Sequence, residues 1–139
     1  MARVTDGANK TATVQLFTFT VANAVTDSAA PETTLTPFPG NTTTANPVVL
    51  SGTATDDLSV ETVRVGIRDR TTLTWLQADG TWKTAFAWRP ATLANPKTPS
   101  TTWTYSFPDT GSGSYGAQVV AVDTAGKVDP TNVWYLFTA

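Results

Sequence analysis

Along this chain, apolar and polar residues alternate in short runs, and Gly, Pro, Asn and Asp separate the runs. Successive side chains of a β-strand point to opposite faces, so a period of two marks a strand buried on one side. On that reading, strands fall at 33–36, 48–55 and 62–69. In the second, Val48, Leu50, Gly52 and Ala54 share the inward face, and Asp56-Asp57 ends the strand. In the third, Val63, Val65 and Ile67 turn inward while Arg64 and Arg68 turn outward. A hairpin of 72–78 and 81–86 is joined by Asp79-Gly80, a two-residue loop in which Gly tolerates a positive φ. Such a loop sets Gln77 opposite Trp82 and Trp75 opposite Thr84, which places both indoles on one face. After the Pro-containing stretch 88–99, strands follow at 101–107, 115–123 and 132–138. Trp103, Tyr105 and Phe107 share a face in the first of these, and Tyr115, Ala117, Val119 and Ala121 in the second. The last strand leaves its inward face open, because Val133/Tyr135/Phe137 and Trp134/Leu136 are both apolar sets. No segment keeps a helical period long enough for a helix. The expectation is an all-β fold, an antiparallel β-sandwich of about seven strands.

The first residues form a second motif. Val4-Thr5-Asp6-Gly7, a polar turn and the apolar run 14–21 parallel Ala121-Val122-Asp123, Gly126-Lys127 and Trp134-Tyr135-Leu136-Phe137-Thr138. Each is a strand, an Asp, a Gly-containing turn and an aromatic strand reaching Phe-Thr, a weak internal repeat. Residues 1–25 therefore read as the terminal hairpin of a preceding domain, or as strands added to the same sandwich. Residues 26–30 read as a linker and 31–139 as the sandwich domain. An orphaned apolar strand at 14–21 would present an open edge, so an edge-strand dimer through the N-terminal hairpin is one expected association.

Several segments of 31–139 carry a family likeness. Ser51-Gly52-Thr53-Ala54-Thr55-Asp56-Asp57, Val60, Val63-Arg64-Val65, Tyr115 and Ala121-Val122-Asp123-Thr124-Ala125-Gly126 resemble the bacterial immunoglobulin-like domains found in tandem within large secreted and surface proteins. The run Trp75-Leu76-Gln77-Ala78-Asp79-Gly80-Thr81-Trp82, with Thr102-Trp103 later, is similar to a subgroup from actinobacterial multidomain proteins. The resemblance implies an immunoglobulin-like β-sandwich with Greek-key connections, carrying the extra N-terminal β-hairpin. It also implies an extracellular or cell-surface location and a role as spacer, adhesion module or accessory beside a catalytic domain. The implied partners are neighbouring domains of the same parent protein, a polysaccharide or a surface protein. This sandwich hosts many roles, so the likeness specifies fold far better than function.

Composition narrows the choice. The net charge is −2 and no Lys/Arg stripe exists, so nucleic acid is not an expected partner. No apolar stretch approaches the roughly 18 residues of a membrane span. The opening Met-Ala-Arg does not read as a signal peptide. With no Cys, disulfide frameworks and thiolate metal sites are excluded. With no His, a Ser or Thr nucleophile lacks its usual base, and none of Lys10, Lys83, Lys97 and Lys127 stands in a Ser-x-x-Lys context. Hydrolysis by paired acids needs carboxylates facing across a cleft, whereas the adjacent Asp56 and Asp57 are expected to diverge. Catalysis is not expected. An isopeptide bond from Lys10 is not expected either, since the glutamates are only Glu32 and Glu61.

Two constellations remain. In a sandwich the loops after the second and sixth strands share one end, which would gather Asp56, Asp57, Asp123 and Asp129, with Asp27 and Glu32 near them. Oxygen ligands of this kind suit Ca²⁺, which takes about six to eight of them. The end is similar to the calcium-stiffened junctions of cadherin-type domains, although the full ligand motifs of those domains are absent. The alternative is that these short carboxylates accept hydrogen bonds from loop N–H groups. No other cofactor is called for. The second constellation is the tryptophans. Trp103 reads as core, while Trp75, Trp82 and Trp88, with Arg68, Arg70 and Arg89 able to stack on them, would form a strip for sugar rings. The alternative is a satellite apolar cluster beneath the hairpin and the 88–99 loop.

Overall fold

A computed structural model describes residues 26–139. It contains nine strands: β1 (Glu32–Leu35), β2 (Val48–Asp69), β3 (Thr74–Leu76), β4 (Trp82–Lys83), β5 (Arg89–Pro90), β6 (Thr92–Leu93), β7 (Thr98–Phe107), β8 (Tyr115–Asp123) and β9 (Val133–Phe137). Every pairing between these strands is antiparallel. The all-β antiparallel expectation therefore holds. The N-terminal hairpin at 1–25, and any edge-strand dimer through it, lie outside the described residues. No described helix is long and apolar enough to cross a membrane.

The sequence reading divides 48–55 from 62–69 at Asp56-Asp57, whereas the structure carries one strand of 22 residues through both. The pairing register slips between Thr55 and Val60 against β7, and between Val60 and Thr62 against β8. Extra residues at such a bulge bend a strand and increase its twist, so one strand can leave one layer and join the other. The first half of β2 lies between β1 and β7, with Ala54 opposite both Thr33 and Thr101. The second half lies beside β8, with Val63 opposite Ala121, and carries β3 and β5 on its other side. The sandwich is completed by β9 on β8, β4 on β3 and β6 on β7.

The inward faces meet in a single apolar core. Val48, Leu50 and Ala54 come from the first half of β2, and Val63, Val65 and Ile67 from the second. They pack with Trp103, Phe107, Tyr115, Ala117, Val119, Ala121, Tyr135 and Phe137. The open question on β9 is thus settled: Tyr135 and Phe137 face in, and Trp134 and Leu136 face out. The fully buried Trp103 donates its indole N–H to the Thr34 carbonyl at 3.1 Å, which satisfies its one polar atom. Gly52 makes that contact possible, because a Cβ there would lie 1.9 Å from the Thr34 oxygen and 2.8 Å from the Trp103 ring. Close approach of a second backbone is a standard reason for glycine inside a strand.

Candidate functional site

The hairpin of β3 and β4 closes differently from the sequence reading. Trp75 stands opposite Lys83 and Leu76 opposite Trp82. The loop is Ala78-Asp79-Gly80, bracketed by a 2.8 Å bond from Gln77 N–H to the Thr81 carbonyl. Gly80 takes φ 84°, the left-handed position that ends a three-residue hairpin loop. Asp79 Oδ1 accepts from both Thr81 N–H and Thr81 Oγ1, and these bonds hold its carboxyl below the ordinary value. One residue of register turns a side chain to the opposite face of a sheet. Trp82 therefore leaves the expected strip and packs inward, its ring 6.3 Å from Phe107 and 6.2 Å from Tyr115. Trp75 remains outside.

On the outer face of the second layer, side chains line up in rows across the strands. Leu136, Gly116, Arg68 and Trp75 form one row. Trp134, Gln118 and Gly66 form the next, and Val120, Arg64 and Pro90 a third. The two glycines let large side chains lie flat. A Cβ on Gly66 would meet the Phe86 and Trp75 rings at 3.3 and 3.4 Å, and one on Gly116 would meet Leu136 and Trp134 at 3.3 and 3.8 Å.

The result is a continuous series of rings. Centroids are 6.4 Å apart for Trp134 and Trp75, 4.6 Å for Trp75 and Phe86, and 4.8 Å for Phe86 and Trp88. Trp134 is 54% exposed and Phe86 42%, while Trp75 and Trp88 are half-buried. None of the four belongs to the core. The Arg68 guanidinium lies 5.6 Å from the Trp75 ring centre, a cation–π contact. Beside Trp88 an open cleft of about 170 Å³ is lined by Thr62, Arg64, Trp88, Arg89 and Pro90. A larger depression of about 270 Å³, on Val49, Pro90, Thr92, Thr104, Tyr105 and Ser106, has no charged side chain in its lining.

Of the residues expected in the strip, Trp75, Trp88 and Arg68 are in place and Trp82 is not. Phe86 and Trp134 are present without having been assigned to it. The signal for Trp134 was the apolar character of both faces of 133–137. A strand with one face in a core has no folding reason for Trp134 and Leu136 on the other.

The acidic end is partly assembled. Asp27, Asp56 and Asp57 each offer a carboxylate oxygen within 4.8 Å of the others, so Asp56 and Asp57 converge instead of diverging. The bulge in β2 explains this, because an extra residue re-aims neighbouring side chains. Lys127 Nζ lies 2.8 Å from Asp27 Oδ1 and donates to the Asp27 carbonyl at 2.9 Å. The hydrogen bond to Asp27 raises the Lys127 ammonium above its ordinary pKa. Asp57 Oδ2 accepts from Ser28 Oγ and Ser28 N–H, which holds its carboxyl below the usual value.

The other expected ligands serve the loops. Asp56 Oδ2 accepts from the N–H groups of Leu58 and Ser59. Asp123 Oδ1 accepts from those of Ala125 and Lys127. Asp129 ties β1 to the loop before β9, since Oδ2 accepts from Thr33 N–H and Oγ1 while Oδ1 accepts from Thr131 N–H. Glu32 lies on β1 opposite Thr55, outside the three-carboxylate group. Asp123 and Asp129 likewise stand outside that group. Compared with known proteins, the chain matches no family model and no curated protein.

Proposed function

We propose that this chain is a non-catalytic immunoglobulin-like module of an extracellular bacterial multidomain protein, and that it holds a polysaccharide against its outer aromatic face. The observation that carries this reading is the series Trp134, Trp75, Phe86 and Trp88, in contact one after another yet outside the core. Contiguous apolar area left in water marks an interaction surface. Pyranose rings carry C–H groups on their faces, and those faces stack on the electron-rich faces of aromatic rings. A row of rings on a sheet suits an extended chain of sugars better than a small molecule in a pocket. Strand pairing supports the immunoglobulin-like part. One layer holds β1, the first half of β2 and β7, and the other holds the second half of β2, β8 and β9. This arrangement supports the reading because it parallels the A-B-E and C-F-G partition of immunoglobulin domains. The extracellular placement rests on the resemblance of segments such as 51–57 and 121–126.

Electrophoresis through gels containing soluble polysaccharides tests the reading. Retardation by at least one polysaccharide, reduced tenfold or more in affinity by Trp134→Ala, is the expected result. A spacer without a glycan ligand would migrate identically in every gel. A second reading concerns the same module in a tandem array: Asp27, Asp56 and Asp57 take Ca²⁺ where the chain enters. It is favoured by three carboxylate oxygens within 4.8 Å of one another, of which, among the described residues, only that of Asp27 is paired with a lysine.

A further inference from the structure

Resting on the carbohydrate reading above, we infer that the bound polysaccharide is acidic, and that the cleft of Thr62, Arg64, Trp88 and Arg89 seats one of its charged sugar units. The sequence has five arginines, and the four in the described residues are Arg64, Arg68, Arg70 and Arg89. Arg64, Arg68 and Arg70 belong to the aromatic face, and Arg89, at its edge opposite Val65, reaches the cleft beside Trp88. Arg64 and Arg68 stand opposite Val120 and Gly116 on the outer side of β2. Arg70 Cδ lies 3.7 Å from where a Cβ of Gly116 would be, and Arg89 lines the cleft with Arg64.

Among the described residues, no carboxylate forms an ion pair with these guanidinium groups. The two ion pairs among the described residues, Lys97 with Glu61 and Lys127 with Asp27, both use lysines. Among the described residues, Arg70 and Arg89 donate to neutral oxygens, Ser114 Oγ and the Trp88 carbonyl, each at 3.2 Å. Arg68 Nε has no hydrogen-bond partner among the described residues. In a chain of net charge −2, three arginines on this face and a fourth in the cleft at its edge are a local reversal of sign. Guanidinium groups present paired N–H donors that match carboxylate and sulfate groups.

The cleft combines the two kinds of recognition. Trp88 provides a ring face, Arg64 and Arg89 provide positive charge, and Thr62 Oγ1 lies buried in its lining with no hydrogen-bond partner among the described residues. A sugar ring stacked on Trp88 would bring its acid group to the two arginines. Its neighbours along the chain would then reach Phe86, Trp75 and Trp134. A neutral glycan would call for hydroxyl and amide donors in place of four arginines. A nucleic acid, with a phosphate at every unit, calls for a broader basic surface than this chain carries.

The experiment compares polysaccharides that share a backbone and differ in charge. Polygalacturonate is set against its fully methyl-esterified form, and dextran sulfate against dextran, by affinity electrophoresis and calorimetry. The wild-type chain should bind at least one acidic form ten times or more tightly than its neutral partner, with the difference shrinking as salt rises. Arg64→Ala and Arg89→Ala should each remove most of that preference, whereas Trp134→Ala should weaken both forms alike. Equal binding of charged and neutral forms, unchanged in the arginine variants, would overturn the acidic-ligand inference and leave the carbohydrate reading standing. Absence of binding to all four glycans and to a wider neutral panel would overturn both. Binding to acidic glycans that Trp134→Ala and Trp88→Ala leave intact, and that polyaspartate reproduces, would reduce the face to non-specific charge adsorption and overturn the inference.

Discussion

Replacing Trp82 and Trp134 by alanine in separate variants separates the core of this molecule from its outer surface. Truncating a fully buried tryptophan costs about 3–5 kcal/mol. Trp82 is half-buried, so about 2 kcal/mol is expected from lost packing. Its edge and tilted contacts with Phe107 and Tyr115 add up to about 1 kcal/mol more. At about 2.1 cal/mol/K per residue, unfolding the described residues 26–139 carries an entropy near 0.24 kcal/mol/K. Trp82→Ala should therefore lower Tm by roughly 8–13 °C. Trp134 is 54% exposed and its ring neighbour Trp75 lies 6.4 Å away, so Trp134→Ala should cost about 0.5 kcal/mol and less than about 2–3 °C. Glycan binding should behave inversely, falling in the Trp134 variant and persisting in the folded Trp82 variant. Scanning calorimetry and affinity electrophoresis measure the two quantities. A two-residue loop would put Trp82 on the outside with Trp75. Equal small losses of Tm for both variants, with glycan binding weakened in both, would refute the observed register and the argument built on it.

Other outcomes follow from the same structure. Gly52→Ala places a methyl group 1.9 Å from the Thr34 oxygen and 2.8 Å from the Trp103 ring, so it should cost about 3 kcal/mol or more in urea unfolding. Gly80→Ala meets open space and should cost about 1 kcal/mol, from its left-handed backbone alone. Burial raises the Asp69 carboxyl, but N–H donation from Thr72 and Thr71 and the Thr110 hydroxyl outweigh it and hold it below its ordinary value. A carboxyl depressed on folding stabilises fully above its unfolded pKa and loses that contribution as pH falls through the folded value. Melting temperature should therefore hold to about pH 5 and fall below about pH 4, and Asp69→Asn should lower the plateau while flattening the acid limb. Calorimetric titration with Ca²⁺ should give heat and a melting shift, worth about 2.7 kcal/mol at a hundredfold excess over Kd, that Asp57→Asn abolishes. A flat titration would leave Lys127 as the counter-ion of that cluster.

Alternation made the core legible. The inward sets read from 48–54, 63–67 and 115–121 are the buried ones, because one face of each strand must leave water whatever its partner. Pattern alone could not see that β2 continues through Asp56-Asp57. Two acidic residues after a strand normally mark a turn, and the bulge that keeps them in register depends on partners far along the chain. The hairpin error has a similar cause. Asp79-Gly80 fits both a two-residue loop and the end of a three-residue one, and the choice fixes the side of Trp82. Of the acidic residues expected at one end, Asp27, Asp56 and Asp57 come together, and Asp123, Asp129 and Glu32 stand outside that group. The alternative, that short carboxylates accept from loop N–H groups, holds for Asp56 and Asp123, and it was legible because those donors lie only a few residues along the chain. The bond from Thr33 N–H to Asp129 was not, because 96 residues separate the partners.

The strand shared by both layers bears on how a row of such modules would answer tension. The chain approaches at the bend of β2, where Glu32 pairs with Thr55, and departs from the opposite rim, where Phe137 pairs with Tyr115. Pulling along that line would make β1 slide lengthwise on β2 and β9 slide lengthwise on β8. Their bridging bonds would then have to yield together, as in a lap joint, and could not open one by one as a zip does. Because β2 runs unbroken through the bend, strain reaching either rim passes along a covalent backbone, with no intervening loop to stretch.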